Sequence, residues 1–283
     1  MTSLSDIPDL PGLRLRAADL LALRAEAVAA LGHRPATRRP GAVPARRPGA
    51  GLDLREIRAY VPGDDTRRMD PAATARTGQP HVRAFHEDRD DTTLLIADFR
   101  APMLWGTGDS LRSVRGARHL ARLGWQAVAR GGTVAALAVT GAGMAEIRAG
   151  GGDRQMAEIA AMFAAEHDIA LTRAGPAADG SPVGLGAALA RAARLAPPGG
   201  RVILATAPGA IGDHADAALA RLARRRRVTV ALMTDPLERS TPGFALPVSD
   251  GHTTRHQRLV LLDLAAGLAR LRALGADAAE IAP

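Results

Sequence analysis

Between Thr92 and Met233, short and almost uninterrupted apolar runs alternate with longer segments of helical period, and few folds accommodate that order. The runs are Thr93-Leu94-Leu95-Ile96-Ala97, Thr133 to Val139, Arg201 to Ala205 and Val228 to Met233. Each is apolar at consecutive positions, as a strand covered on both faces must be. Between and after them, Leu111 to Ala129, Arg154 to Glu166, Leu185 to Leu195 and Ala215 to Arg225 read as helices. Strands alternating with helices of this length predict an α/β fold, a mostly parallel sheet flanked by helices on both faces. Ala145 to Arg148 reads as a short edge strand, and Leu259 to Leu274 as a last helix.

With 283 residues, 47% of them apolar, the chain can bury one large core and a smaller appended domain. Aromatics make up only 2% of residues, so Ala, Leu and Val must build that core. Cysteine is absent, which excludes disulfides, thiolate metal sites and Cys nucleophiles. No apolar run approaches the ~20 residues needed to span a bilayer. Met1-Thr2-Ser3-Leu4-Ser5-Asp6 lacks the basic-then-apolar order of a secretion signal. The expected location is the cytoplasm.

The formal charge of +8 is carried without a lysine, every cationic side chain apart from histidine being arginine. A basic balance raises nucleic acid or an anionic surface as an alternative partner. The arginines are scattered over helix faces and lack stacking aromatics beside them, so nucleic acid is not expected. The densest run, Arg224 to Arg227, falls where a helix meets a strand, and cations there suit a helix C-terminus.

Near the N-terminus, Leu13, Ala17, Leu20, Leu21, Val28 and Leu31 recur near a helical period, with Arg24 intruding on their face. An amphipathic helix docked on the body of the protein is expected. Gly32 to Gly51 is rich in Pro, Arg and Gly and reads as an exposed linker.

The segment after it is dense in charge and turn residues. Pro62-Gly63 suits the second and third positions of a type II turn, where proline presets φ and glycine accepts a positive φ. Asp64 or Asp65 can cap a helical turn over Thr66 to Met69. Arg58, Arg67, Arg76 and Arg83 lie within reach of Asp64, Asp65, Asp70 and Glu87, which predicts a local ion-pair knot.

The runs Gly49-Ala50-Gly51-Leu52-Asp53-Leu54, Arg58-Ala59-Tyr60-Val61-Pro62-Gly63-Asp64-Asp65-Thr66-Arg67-Arg68-Met69-Asp70, Thr74-Ala75-Arg76-Thr77-Gly78 and Val82-Arg83 resemble the signature of one bacterial family. This is domain-of-unknown-function family fifty-eight, whose members are encoded beside MoxR-type AAA+ ATPases and carry a von Willebrand factor A-like domain. Asp235-Pro236-Leu237-Glu238 matches the family's Asp-Pro-x-Glu after its final strand. The similarity covers most of residues 49 to 250. Pro71 stands where the family has tryptophan, and Asp53-Leu54 where it has Glu-Phe. The resemblance implies a signature subdomain at 49–91 and a von Willebrand A-like domain at 92–250, and the residue patterns place an N-terminal helix and linker at 1–48 and a C-terminal helix at 251–283. The resemblance also implies a MoxR-type AAA+ ATPase as partner, acting on an unidentified client.

Domains of that type hold Mg²⁺ with Asp-x-Ser-x-Ser after the first strand and further oxygen ligands from later loops, since a hard cation wants several oxygens. Here the loop reads Asp98-Phe99-Arg100-Ala101-Pro102-Met103. Arg100 takes the first serine position and Pro102 offers no side-chain oxygen. Thr206-Ala207 replaces the family's Ser-Asp after the Arg201 to Ala205 strand. No metal and no cofactor are expected. Arg100 either pairs with Asp98 in place of the cation or points to solvent.

Gly108-Asp109-Ser110-Leu111 spells the nucleophile block of GDSL-type esterases and makes a serine hydrolase the enzymatic alternative. The block does not directly follow a strand, and no histidine has Asp at the third position before it, as the base of such enzymes requires. Asp109 or Ser110 is read instead as the cap of the helix near Leu111. The glycine-rich segments match no dinucleotide fingerprint, and a phosphate-binding loop needs a lysine the chain lacks. His81 and His86 read as surface or ion-pair residues. Asp250, His252 and His256 suggest no constellation. A non-enzymatic protein interaction module is the expected function.

Overall fold

The computed structural model describes residues 8–32, 48–86, 92–173, 184–239, 245–249, 254–257 and 263–283. In chain order its elements are α1 (Ala17–Ala22), α2 (Arg24–Gly32), β1 (Pro48–Ala59), α3 (Pro71–Thr77), β2 (His81–His86), β3 (Thr92–Asp98), α4 (Arg112–Ala129), β4 (Thr133–Val139) and β5 (Met144–Gly150). They continue with α5 (Gly152–Arg173), α6 (Leu185–Leu195), β6 (Arg201–Thr206), α7 (Asp213–Ala223), β7 (Arg227–Met233), α8 (Pro236–Arg239), β8 (Leu246–Ser249), β9 (Thr254–Gln257), α9 (Leu264–Ala273) and β10 (Asp277–Ile281). Two compact units result, Pro35–Arg89 and the remainder, Met1–Arg34 with Asp90–Pro283.

The larger unit is built on a six-stranded sheet in the order β10-β7-β6-β3-β4-β5. All neighbours run parallel except β5, which pairs antiparallel with β4 at one edge. This is the mostly parallel, helix-flanked α/β sheet that the alternating pattern predicts. The strands are apolar at consecutive positions because successive side chains enter opposite layers. Leu95, Ala97, Ala136, Ala138, Ile203 and Ala205 join α4, α5 and the N-terminal helices on one face. Leu94, Ile96, Leu137, Val139, Leu204 and Val230 join α6, α7 and α9 on the other. Small Ala side chains on β3, β4 and β6 let α4 lie close, and Gly124 brings it closer still: a Cβ there would sit 3.0 Å from Leu95 Cδ1 of β3.

The N-terminal helix expected from Leu13 to Leu31 is interrupted at Leu23, giving α1 and α2. Leu20 and Ala27 are buried, whereas Leu21 and Val28 are exposed. The inward stripe runs through Leu20, Leu23 and Ala27, and at 3.6 residues per turn Leu21 and Val28 fall off it. Leu20 anchors the segment, its carbonyl accepting the Trp125 indole N–H at 3.0 Å.

Three sequence expectations need revision. The linker expected to reach Gly51 gives way to β1 at Pro48, while its residues 33–47 lie outside the described residues. The C-terminal segment contributes a sheet strand as well as a helix: β10 pairs with β7, from Asp277 with Thr229 to Ile281 with Met233. Its five-residue pattern, with Asp277 and Glu280 among alanines, is that of an edge strand and carries little apolar signal. Neither Asp109 nor Ser110 caps α4, whose N-cap is Leu111 without a side-chain bond. Backbone carbonyls do that work, Leu111 N–H donating to Gly12 O at 2.9 Å and Arg112 N–H to Trp105 O at 3.1 Å.

In the smaller unit β1 and β2 form an antiparallel pair running from Ala59 opposite His81 to Pro48 opposite His86, with register shifts near Leu54. Between them, α3 opens with Asp70 as N-cap and Pro71 in its first turn, and ends at Gly78 with φ 71°.

Candidate functional site

The chain leaves β3 for β4 and β5 on one side of the sheet, then crosses to β6 on the other. The carboxyl ends of β3 and β6 therefore flank the point where strand order reverses, where open α/β sheets carry their crevice. Asp98 ends β3 and Thr206 ends β6. Both are buried. Arg100 Nε donates to Asp98 Oδ1 and its NH2 to Oδ2, each at 2.8 Å, while Arg100 N–H adds a bond to Oδ1 at 3.0 Å. Thr206 Oγ1 donates to Oδ2 at 2.6 Å. The carboxylate is thus met on both oxygens by a planar guanidinium fork, the geometry in which such pairs are strongest. The Arg100 side chain is 11% exposed and that of Asp98 is 0%. Pro102 opens a short 3₁₀ turn, Ala101–Met103, and its carbonyl accepts from Arg112 NH1 at 3.1 Å.

A second cluster stands at the end of β7. Asp235 is 1% exposed and accepts the Thr107 backbone N–H at 2.8 Å, the Thr107 hydroxyl and the Leu237 N–H at 3.1 Å. Burial pushes its carboxyl up, but the Thr107 and Leu237 donors outweigh it and hold the group below the usual carboxylate range. Glu238 accepts the Asp235 backbone N–H at 2.9 Å and pairs with Arg112 at 2.5 Å. Arg112 also stacks on Trp105, its guanidinium carbon 4.4 Å from the ring centroid. Arg115 donates to the Thr234 carbonyl at 2.5 Å, and burial lowers its pKa. Asp235 and Glu238 were legible as a motif. Thr107, Trp105, Arg112 and Arg115 were not, although the i, i+3 spacing of the two arginines at the opening of a helix was an available signal.

The signature residues of the smaller unit form local contacts. Gly63 takes φ 106° and Asp64 N–H donates to Val61 O at 3.0 Å, closing the turn through Pro62. Arg58 grips Asp64 with NH1 and NH2 at 2.8 and 2.7 Å. That bond and the Val61 N–H hold the Asp64 carboxyl low. Asp65 caps the 3₁₀ turn Thr66–Arg68 by accepting Arg67 N–H at 3.0 Å. Asp70 accepts Ala73 N–H at 2.8 Å and Arg83 Nε at 2.7 Å. Tyr60 N–H donates to Pro80 O at 2.8 Å. Arg67 and Arg76 make no ion pair with the described residues, and Glu87 lies outside them. His81 Nδ1 lies 3.1 Å from Thr77 Oγ1 and 2.8 Å from Gln79 O, the contacts of a turn residue.

Ser110 of the esterase block has a buried Oγ with no partner among the described residues. The serine that meets a histidine is Ser113, whose Oγ lies 2.9 Å from His167 Nε2. Both are buried, at 1% and 0% exposure, beneath Phe99, whose ring meets His167 edge-on at 5.4 Å. Burial pushes His167 down to about 4. Of the Arg224 to Arg227 run, Arg226 donates to the carbonyls of Ala193 and Ala196 at 2.7 and 2.8 Å, so it serves the C-terminus of α6. Among the described residues no three His, Asp or Glu side chains are grouped to hold a metal, and no helix is long and apolar enough to cross a membrane.

Three relatives match one stretch of 60 residues at 52% identity: an uncharacterized protein of Mycobacterium bovis and uncharacterized proteins of two Mycobacterium tuberculosis strains. The match covers 21% of this chain and 19% of each relative, so the chain spans about a fifth of the length of these relatives. No solved structure matches. The family described as "Protein of unknown function DUF58" matches residues 56–265, from within β1 to the start of α9 and so including five of the six strands of the large sheet, and the chain belongs to that family.

Proposed function

We propose that this protein is a non-enzymatic interaction module, a von Willebrand A-like domain with a degenerate metal site that serves as adaptor to a MoxR-type AAA+ ATPase in the cytoplasm. In this reading it positions a client protein for maturation or assembly while the ATPase supplies the work. The strand order with a single antiparallel edge supports the domain reading. The observation that carries the functional reading is the Asp98 corner. Both oxygens of its carboxylate are occupied by Arg100 and Thr206, and a fixed guanidinium lies where a cation would bind. A divalent ion needs several free oxygens, so this donor set does not fit Mg²⁺. Arg100 stands in for the ion.

The same end of the sheet offers what an interface uses. Trp105 is 38% exposed and is held flat against Arg112, a pairing of the two side-chain types that dominate binding hot spots. The serine-esterase alternative is not favoured, because Ser110 Oγ meets no hydrogen-bond partner among the described residues and the Ser113–His167 pair is buried.

Binding of the purified protein to the MoxR-type ATPase of its own host, in each nucleotide state, tests the proposal. Saturable binding is expected, weakened at least tenfold by Trp105→Ala with the melting temperature retained. No binding in any nucleotide state overturns the partner, and ester hydrolysis lost on Ser110→Ala overturns the non-enzymatic reading.

A further inference from the structure

Beyond the carboxyl ends of β6 and β7 lies a pocket of about 130 Å³. Its wall is apolar, made by Ala207, Pro208, Ile211, Leu232, Leu264 and Leu271. Its volume is close to that of a cavity of roughly 150 Å³ that accepts benzene, so one leucine- or phenylalanine-sized group fills it.

Two features make it a built site. The first is Gly267, the fourth residue of α9, which lines the pocket. Glycine inside a helix is less stable than alanine, and a packing neighbour usually explains it. None does here among the described residues: a Cβ on Gly267 would meet none of them within 4 Å. The missing methyl keeps space open. The second is Arg270, whose Nε and NH2 bind Asp216 at 3.2 and 2.7 Å, whose NH2 also binds Asp213 at 2.8 Å, and whose NH1 holds the Ile211 carbonyl at 3.0 Å. This clamp ties α9 to α7 and to the Ile211 turn, so the wall is fixed before anything enters. Asp213 and Asp216 offset the charge of Arg270, which leaves Asp263, whose Oδ1 also caps α9 by accepting Ala266 N–H at 2.9 Å, as the acidic group of the described lining.

We propose that this pocket binds a single leucine-sized apolar side chain presented on a peptide segment beside a cationic residue. The apolar group enters against Leu232 and Leu271, and the cation meets Asp263 at the mouth. The inference stands on the pocket alone and is independent of any partner at the Asp98 corner.

Methyl NMR of the full chain, titrated with N-acetyl-Leu-Arg-amide, tests it. Saturable shifts at Ile211, Leu232, Leu264 and Leu271 are expected, with millimolar affinity for so small a probe. N-acetyl-Gly-Arg-amide should leave these methyls unmoved, and N-acetyl-Leu-Glu-amide should bind at least threefold more weakly. Gly267→Leu should abolish the shifts. Gly267→Ala should weaken them while raising the melting temperature, which keeps the test decisive if the larger substitution fails to fold. Absence of saturable shifts in the wild type, or unchanged shifts in both Gly267 variants, overturns the site. Equal affinity for the Leu-Glu probe overturns the cationic specificity.

Discussion

Thr206 and Asp98 join the ends of two central strands through a 2.6 Å hydrogen bond between side chains 108 positions apart in sequence. The bond is made to the same carboxylate that Arg100 clamps, so the corner is one coupled unit. Removing Arg100 leaves a buried carboxylate with its ion pair broken, which costs about 3–5 kcal/mol. The Arg100→Ala and Asp98→Ala double variant should cost less than the sum of the singles, by at least about 1 kcal/mol in a urea-unfolding cycle. Additive losses would mean that the pair is not energetically coupled.

The same geometry bears on metal affinity. A cation that bound only the folded state would raise the melting temperature with its concentration. Millimolar Mg²⁺ should leave the wild-type melting temperature unchanged. A rise that disappears in Asp98→Ala would contradict the reading of Arg100 as the resident cation.

His167 makes the fold acid-sensitive. Its pKa is pushed from 6.5 down to about 4 by burial, so between those values the unfolded chain binds a proton that the folded chain does not. Stability is fully present above pH 6.5, falls as pH drops towards 4, and then levels off for this group, a loss of roughly 3 kcal/mol. His167→Gln should flatten the stability profile in that window, read from urea midpoints. An unchanged slope would place the acid sensitivity elsewhere.

Gly12 touches the loop that leads into α4. Its carbonyl accepts Leu111 N–H at 2.9 Å, and a Cβ on it would lie 1.7 Å from the Asp109 carbonyl oxygen. The obstruction is backbone and cannot swing aside as a side-chain tip would. Gly12→Ala should therefore destabilise the larger unit by about 1–3 kcal/mol, the usual cost of overpacking, and increase amide exchange at Leu111. Unaltered exchange there would contradict the contact.

Much of the fold was legible because its signals are local. The runs Leu94 to Ala97 and Val202 to Ala205 are apolar at every position and too short for a helix, as a doubly covered strand requires. The Pro62-Gly63 turn and the cap at Asp65 follow from φ preferences and short side chains within four residues. The break at Leu23 and strand β10 were missed because neighbours across the sheet and helix layer fix them, while their own patterns are weak.

The alternation of strands and helices, the family signature and the presence of Arg100 and Pro102 in the loop after Asp98 can all be read from the residues alone. It takes the folded chain to turn Arg100 onto Asp98, to bring Thr206 to the same corner, and to set Thr107 against Asp235 from 128 positions away. The difference is physical. Backbone preferences and burial periods act over a few residues, whereas a buried carboxylate's partners are set by which strand ends the sheet order brings together.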